Sequence, residues 1–132
     1  MSRRAIVCLY AALLGCDALP RIQLELQSQI QQEFHVTNAL VMVVDTTNLV
    51  VAIFDDARSV LDPKARAAFE EEVARYAVLH YHSAKLMGVA VVVGRASQRG
   101  GAGDKEPTLF VPEYHPDGTV RLAPAPFPNR SE

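Results

Sequence analysis

The feature that most constrains the fold is a pair of apolar runs, at residues 39–44 and 49–54, joined by the polar segment Asp45-Thr46-Thr47-Asn48. Short runs rich in β-branched residues and bounded by turn-forming residues are typical of β-strands, and this spacing predicts a hairpin. Both runs are apolar at every position, so we expect both faces of the hairpin to be covered by other elements. The sequence therefore predicts a hairpin at the centre of a sheet.

A second helix and a third strand follow the hairpin. A loop leads to Asp62-Pro63, an N-cap residue with proline at the first helical position, and apolar residues recur at helical spacing to about residue 84. Residues 89–93 form a third apolar run. A single-helix crossover makes the second and third strands parallel, and the first strand, which runs opposite to both, is predicted to lie between them.

A first helix is predicted over residues 18–34, and two weaker strands over residues 108–111 and 119–122. The fold class is α+β, with an antiparallel-rich sheet of three to five strands, two helices on one face, and the order α-β-β-α-β-β-β. Glutamines occupy the other sides of the first helix, and its apolar positions form one stripe: Leu19, Ile22, Leu26, Ile30 and Phe34. The predicted core packs three helical residues against four strand residues: Phe69, Val73 and Tyr76 against Leu40, Met42, Ile53 and Val91.

The N-terminal segment has the organisation of an export signal. Arg3 and Arg4 precede ten uncharged residues, and the segment ends in Leu13-Leu14-Gly15-Cys16. Ten helical residues rise about 15 Å, roughly half the hydrocarbon thickness of a bilayer. The run is therefore too short to span a membrane and fits the apolar region of a signal peptide.

The quartet ending at Cys16 resembles the lipobox of bacterial lipoproteins. The resemblance covers about an eighth of the chain. It implies cleavage before Cys16, lipidation of Cys16 with diacylglycerol and a fatty acid such as palmitate, and attachment to the cell membrane facing the periplasm or the exterior. Asp17 resembles an inner-membrane retention signal, although the choice of membrane stays open. Ordinary Sec export is favoured over the twin-arginine route. The other interpretation places Cys8 and Cys16 in the core of a buried N-terminal element.

The resemblance implies a signal peptide at 1–15, and the pattern and composition of the rest predict a single α+β domain at 16–122 and a Pro-rich disordered tail at 123–132. Loss of residues 1–15 leaves eleven basic and fifteen acidic side chains, a net charge of −4 with neutral histidines. That balance argues against a nucleic-acid partner. It also leaves no free thiol, because Cys8 is removed and Cys16 is lipidated.

No motif in the sequence predicts a catalytic, cofactor-binding or metal-binding residue. His80 and His82 point about 200° apart on a helix, so we predict no metal there and a core position for His80. The glycine-rich segment 94–106 lacks the Gly-Lys-Ser/Thr ending and following helix of a phosphate-binding loop. Asp55 and Asp56 face opposite ways on a strand, and the run Glu70-Glu71-Glu72 is interpreted as a solvated helix face.

These observations favour a lipid-anchored envelope protein that is a non-catalytic interaction or structural module, with the membrane and an unidentified envelope protein as partners and no cofactor. The alternative is a small envelope enzyme or ligand-binding domain. Its site would be assembled from separated residues such as Asp55, His80 and His115.

Overall fold

The computed structural model describes residues 21–82, 84–95 and 107–125. Residues 21–34 are helical (α1) and lead into the hairpin of β1 and β2. A short helix, α2, and the long helix α3 follow, and the chain ends in three further strands. The bounds are β1 Asn38–Val44, β2 Asn48–Phe54, α2 Asp56–Ser59, α3 Pro63–His80, β3 Gly88–Gly94, β4 Thr108–Tyr114 and β5 Val120–Ala125.

The five strands form one sheet in the order β1-β2-β3-β4-β5. β2 and β3 are parallel, as the single-helix crossover predicts, and the other three pairs are antiparallel. The prediction that β1 lies between β2 and β3 was wrong. The crossover through α3 places β3 directly beside β2, which leaves β1 at the edge of the sheet.

The described helices build a core on one face of the sheet, with α1 along its β1 edge, and the α+β fold class is confirmed. Alternate strand residues point toward α3, among them Val51 and Ile53 of β2 and Val89 and Val91 of β3, all buried. They form one cluster with buried residues of both long helices, Leu26, Ile30, Val73, Ala74, Ala77 and Val78. The amphipathic stripe predicted for α1 is confirmed for the part of the helix that the structure describes.

The predicted core was wrong for two strand residues. Leu40 and Met42 point to the opposite face and are exposed, because the neighbouring Val41 points into the core and successive residues of a strand alternate. Phe69 and Tyr76 are partly buried, and each packs edge-to-face against Phe34 of α1, with ring centroids 5.6 and 5.7 Å apart.

Several element boundaries also differ from the prediction. The loop after β2 contains α2, whose first turn is capped by the Asp55 carboxylate. β4 extends through Pro112, where it pairs only with β5, so that the missing N–H of proline costs no hydrogen bond to β3. β5 continues to Ala125, three residues into the predicted tail; residues 126–132 lie outside the described chain.

Candidate interaction surface

The structure does not bring together the three residues of the alternative site. Asp55 follows the end of β2, and its N–H donates to the Gly94 carbonyl at the end of β3. His80 ends α3, which has run back toward the start of β3. His115 lies after β4, antiparallel to β3, and so also near the start of β3, but on the turn to β5. Asp55 and the two histidines therefore lie at opposite ends of the sheet.

His80 is exposed, so its predicted core position was wrong. Its ring stacks on Tyr76 with centroids 3.8 Å apart, and its Nδ1 lies 2.9 Å from the Tyr76 carbonyl oxygen. Burial of the phenol, with the negative charge of Glu33 second, raises the pKa of Tyr76. His80 also lines an open groove of about 240 Å³ between α1 and the end of α3, with Ile22, Glu25, Leu26, Gln29 and His82.

Among the described residues, including those that line this groove, no group of three or more His, Cys, Asp or Glu side chains is placed to hold a metal ion.

Glu70 departs from its predicted role as part of a solvated face, because it is buried and accepts a hydrogen bond from the Thr108 hydroxyl at 2.9 Å. It ties α3 to β4 and is structural in character.

The face of the sheet opposite α2 and α3 is largely apolar, with charged residues only at Glu113 and Arg121 on β4 and β5, and no described element lies over it. Its most exposed residues lie on β1, where Leu40 is 46% and Met42 48% exposed. Large aliphatic side chains at such exposure on adjacent alternate positions form a patch rather than scattered surface residues. We call this surface the open face; its side chains are Leu40, Met42, Val44, Val50, Ala52, Phe54, Ala90, Val92, Leu109, Val111 and Ala123.

The open face has a ridge and a trough. β1 contributes Leu40, Met42 and Val44, all exposed, and these side chains form the ridge. β3, two strands away, presents only Gly88, Ala90, Val92 and Gly94 to this face, and these form the trough. A Cβ added to Gly88 would lie 2.8 Å from the Oδ1 of Asn48, so this position excludes any larger residue without movement.

The apolar surface continues from β1 onto α1 through Leu24, which is 63% exposed. Gln23 points at the edge of β1 and Leu26 into the core. Residues of a helix are about 100° apart, so Leu24 and Leu26 lie on opposite sides of Gln23. Leu24 therefore points to the same side as the open face.

The free edge of β1 is closed by α1. The Oε1 of Gln27 accepts a hydrogen bond from the N–H of Val41 at 3.2 Å, and the Oε1 of Gln23 one from the N–H of Val43 at 2.7 Å. An edge strand with unpaired N–H groups can pair with a strand of another chain, and these two glutamines engage the N–H groups that such a strand would use. The β1 edge is thus blocked by α1, whereas no described element lies over the open face.

Comparison with known proteins found no match: no family model matches the chain, and no curated protein or solved structure matches it significantly. Within the described ranges, none of the helices has the length and apolar character needed to cross a membrane. Cys16 and the rest of the predicted signal peptide lie outside the described residues.

Proposed function

We propose that this chain is a lipid-anchored protein of the bacterial envelope that acts without catalysis, by binding another protein chain through its open face. The open face carries this proposal. It is an apolar surface that spans the strands of a folded domain, while the candidate catalytic residues lie at opposite ends of the sheet.

The extent of the open face supports a binding role. With strands about 4.8 Å apart and a rise of about 3.3 Å per residue, five strands cover roughly 500 Å². This lies at the upper end of the apolar patches of ordinary monomers, where patches are often functional. Apolar area removed from water contributes about 25 cal/mol per Å², so covering this face is favourable.

The sequence around Cys16 supports the anchoring half of the proposal. Four residues separate Cys16 from the described start of α1 at residue 21. Four extended residues reach about 14 Å, so lipid chains on Cys16 would hold the domain close to the bilayer. Two or three acyl chains on one cysteine give stable attachment, since each buried CH₂ contributes about 0.8 kcal/mol.

Labelling with a palmitate analogue in a bacterial host tests the anchor. The wild-type protein is expected to take up the label and to begin at a lipid-modified Cys16 in mass spectrometry. Cys16→Ser is expected to remain unlabelled and to keep residues 1–15. Soluble, unlabelled wild-type protein with an intact N-terminus would reject the anchor and return Cys16 to the interior of the domain.

Site-specific photo-crosslinking in intact cells tests the binding surface. A photoreactive residue replaces Met42 on the open face, and in the matched control it replaces Leu79, which is 49% exposed on α3 on the other side of the sheet. An adduct of higher mass is expected from position 42 and not from position 79. Equal yields at the two positions, or no adduct at either, would reject the open face as a binding surface.

A further inference from the structure

We infer that the partner is a second copy of this chain, stacked open face to open face around a two-fold axis parallel to β2. This inference rests on the proposed binding role and names its partner. The product is a sandwich in which β1, β2 and β3 of the two sheets lie over each other, with α2 and α3 on its outer surfaces.

The relief of the open face makes it complementary to itself. A two-fold axis along β2 places β2 over β2 of the other copy and β1 over β3 of the other copy. The pairing register puts Met42, Val50 and Ala90 at one level. The rotation therefore sets Met42 of each copy over Ala90 of the other. The Met42 side chain of the ridge therefore enters the trough at Ala90. At the next level the rotation sets Val44 beside the Asn48 side chain that lies over Gly88.

The same rotation accounts for the exposed leucine on α1. α1 lies beyond β1, and β4 and β5 lie beyond β3. The axis therefore places α1 of one copy, with Leu24, over the β4–β5 side of the other copy, where Val111 and Ala123 belong to the open face. Val111 is an exposed large apolar residue of the open face, as Leu24 is of α1. One symmetry operation thus covers all of the open face's exposed large apolar residues and Leu24.

The area and the charges suit such a dimer. Three strands of each copy face strands of the other, and α1 faces the remaining strands. Together these elements bring roughly 500 Å² of each copy into the contact, which reaches the ~1,000 Å² expected of a specific interface. No charged side chain of β1, β2 or β3 points to the open face. Glu113 and Arg121, which lie opposite each other in the register of β4 and β5, are toward its far side, away from the axis. The stacking therefore buries no unpaired charge near its centre.

The geometry also makes the assembly finite. Sheets that pack face to face do so about 10 Å apart with strands within about 30° of each other, and both sheets here have the same twist. A two-fold contact uses the same patch on both copies and leaves none for a third chain. Anchoring both copies to one membrane raises their local concentration and favours the dimer further.

Sedimentation equilibrium of the full-length protein, in a detergent matched in density to the buffer, tests the inference. The wild type is expected to have the mass of two chains. Leu40→Glu, which places a charge in the ridge, is expected to raise the dissociation constant at least tenfold. Leu79→Glu is the matched control, because Leu79 has nearly the same exposure as Leu40. It is expected to stay dimeric, since Leu79 lies on α3, on the other side of the sheet.

Far-ultraviolet circular dichroism shows whether each variant is folded, and Met42→Lys repeats the test if Leu40→Glu is not. A wild type with the mass of one chain at all concentrations would overturn the inference. The open face would then be covered by residues 1–20 or by a different protein. A dimer that survives both substitutions would overturn it as well. If the chain is monomeric but position 42 crosslinks to a different protein, the dimer fails while the proposed function stands; without any crosslink, both fail.

Discussion

The Oε1 of Gln23 accepts a hydrogen bond from the backbone N–H of Val43 across 2.7 Å, which joins the first turns of α1 to the free edge of β1. Gln27 repeats the contact at Val41, one helical turn and two strand residues away. The repeat works because four helical residues rise about 6 Å and two strand residues about 6.6 Å. α1 therefore lies antiparallel to β1 and closes this edge of the sheet.

We predict that Gln23→Met lowers the free energy of unfolding by about 1–3 kcal/mol. Methionine preserves the length of the side chain but leaves the partly buried N–H of Val43 without its acceptor. Urea denaturation measures the loss, and Gln32→Met, at an exposed position of the same helix, is the control. Equal midpoints for the two variants would show that the edge contact does not stabilise the domain.

We predict that His35→Gly raises stability by about 1 kcal/mol. His35 ends α1 with a φ of 54°, and the Val36 N–H donates to the Gln31 carbonyl at 3.1 Å, the bond of a Schellman cap. A side chain in this left-handed conformation costs about 1–2 kcal/mol, which glycine avoids. Gly118, with a φ of 90°, offers the reverse substitution, and Gly118→Ala is expected to destabilise. A lower thermal midpoint for His35→Gly would contradict this account.

We predict that Val73→Ala and Leu40→Ala act on different equilibria. Val73 is fully buried between α3 and the sheet, so its truncation is expected to lower the unfolding free energy by about 2 kcal/mol. Leu40 is exposed in the single chain, so its truncation is expected to weaken the dimer and to leave monomer stability almost unchanged. Denaturant unfolding over a hundredfold range of protein concentration separates the two effects. A concentration-independent loss at Leu40 would place that residue in the core.

We predict that acid destabilises the protein partly through two turns. A hydrogen bond from Asn48 lowers the pKa of Asp45, and hydrogen bonds from Thr119 lower the pKa of Asp117, both from 3.8. A carboxyl with a lowered pKa contributes stability above its unfolded pKa and loses it as the pH falls through the folded pKa. The unfolding free energy is therefore expected to fall below about pH 4. The double variant Asp45→Asn with Asp117→Asn should show a smaller decline in unfolding free energy below pH 4. An unchanged dependence of the unfolding free energy on pH would refute the assignment.

The sequence was sufficient for the elements that local patterns determine. Alternating turn signals and apolar runs located β1, β2 and β3, and Asp62 with Pro63 located the start of α3, whose first turn Asp62 caps. The parallel pairing of β2 and β3 followed from the crossover rule alone. These features depend on residues close together in the chain.

The sequence was not sufficient for the position and burial of β1. A run that is apolar at every position predicts burial on both faces, yet Leu40 and Met42 are exposed. Strand order depends on contacts between distant residues, which periodicity does not encode. The glutamines Gln23 and Gln27 were a usable signal, since their spacing of four places both on one side of α1, but only the structure shows which backbone groups they meet.

The candidate surface was missed for the same reason. The prediction expected both faces of the β1–β2 hairpin to be covered, so no apolar residues of the hairpin remained for a binding face. The residues of the alternative site, Asp55, His80 and His115, were chosen for their chemistry, and the fold separates them. The small residues of β3 are a further signal. Gly88, Ala90 and Gly94 share one face of the strand, so β3 adds little side-chain volume to the open face.

Oxidation of Met42 and Met87 by hydrogen peroxide tests the central claim, that the open face is covered in the working protein. Met42 lies on the open face, and Met87, 68% exposed in the single chain, precedes β3 outside it. In the native membrane-extracted protein, Met42 is predicted to oxidise at least tenfold more slowly than Met87. The difference should disappear on dilution or in Leu40→Glu. Similar oxidation rates for Met42 and Met87 in the native protein would contradict the account.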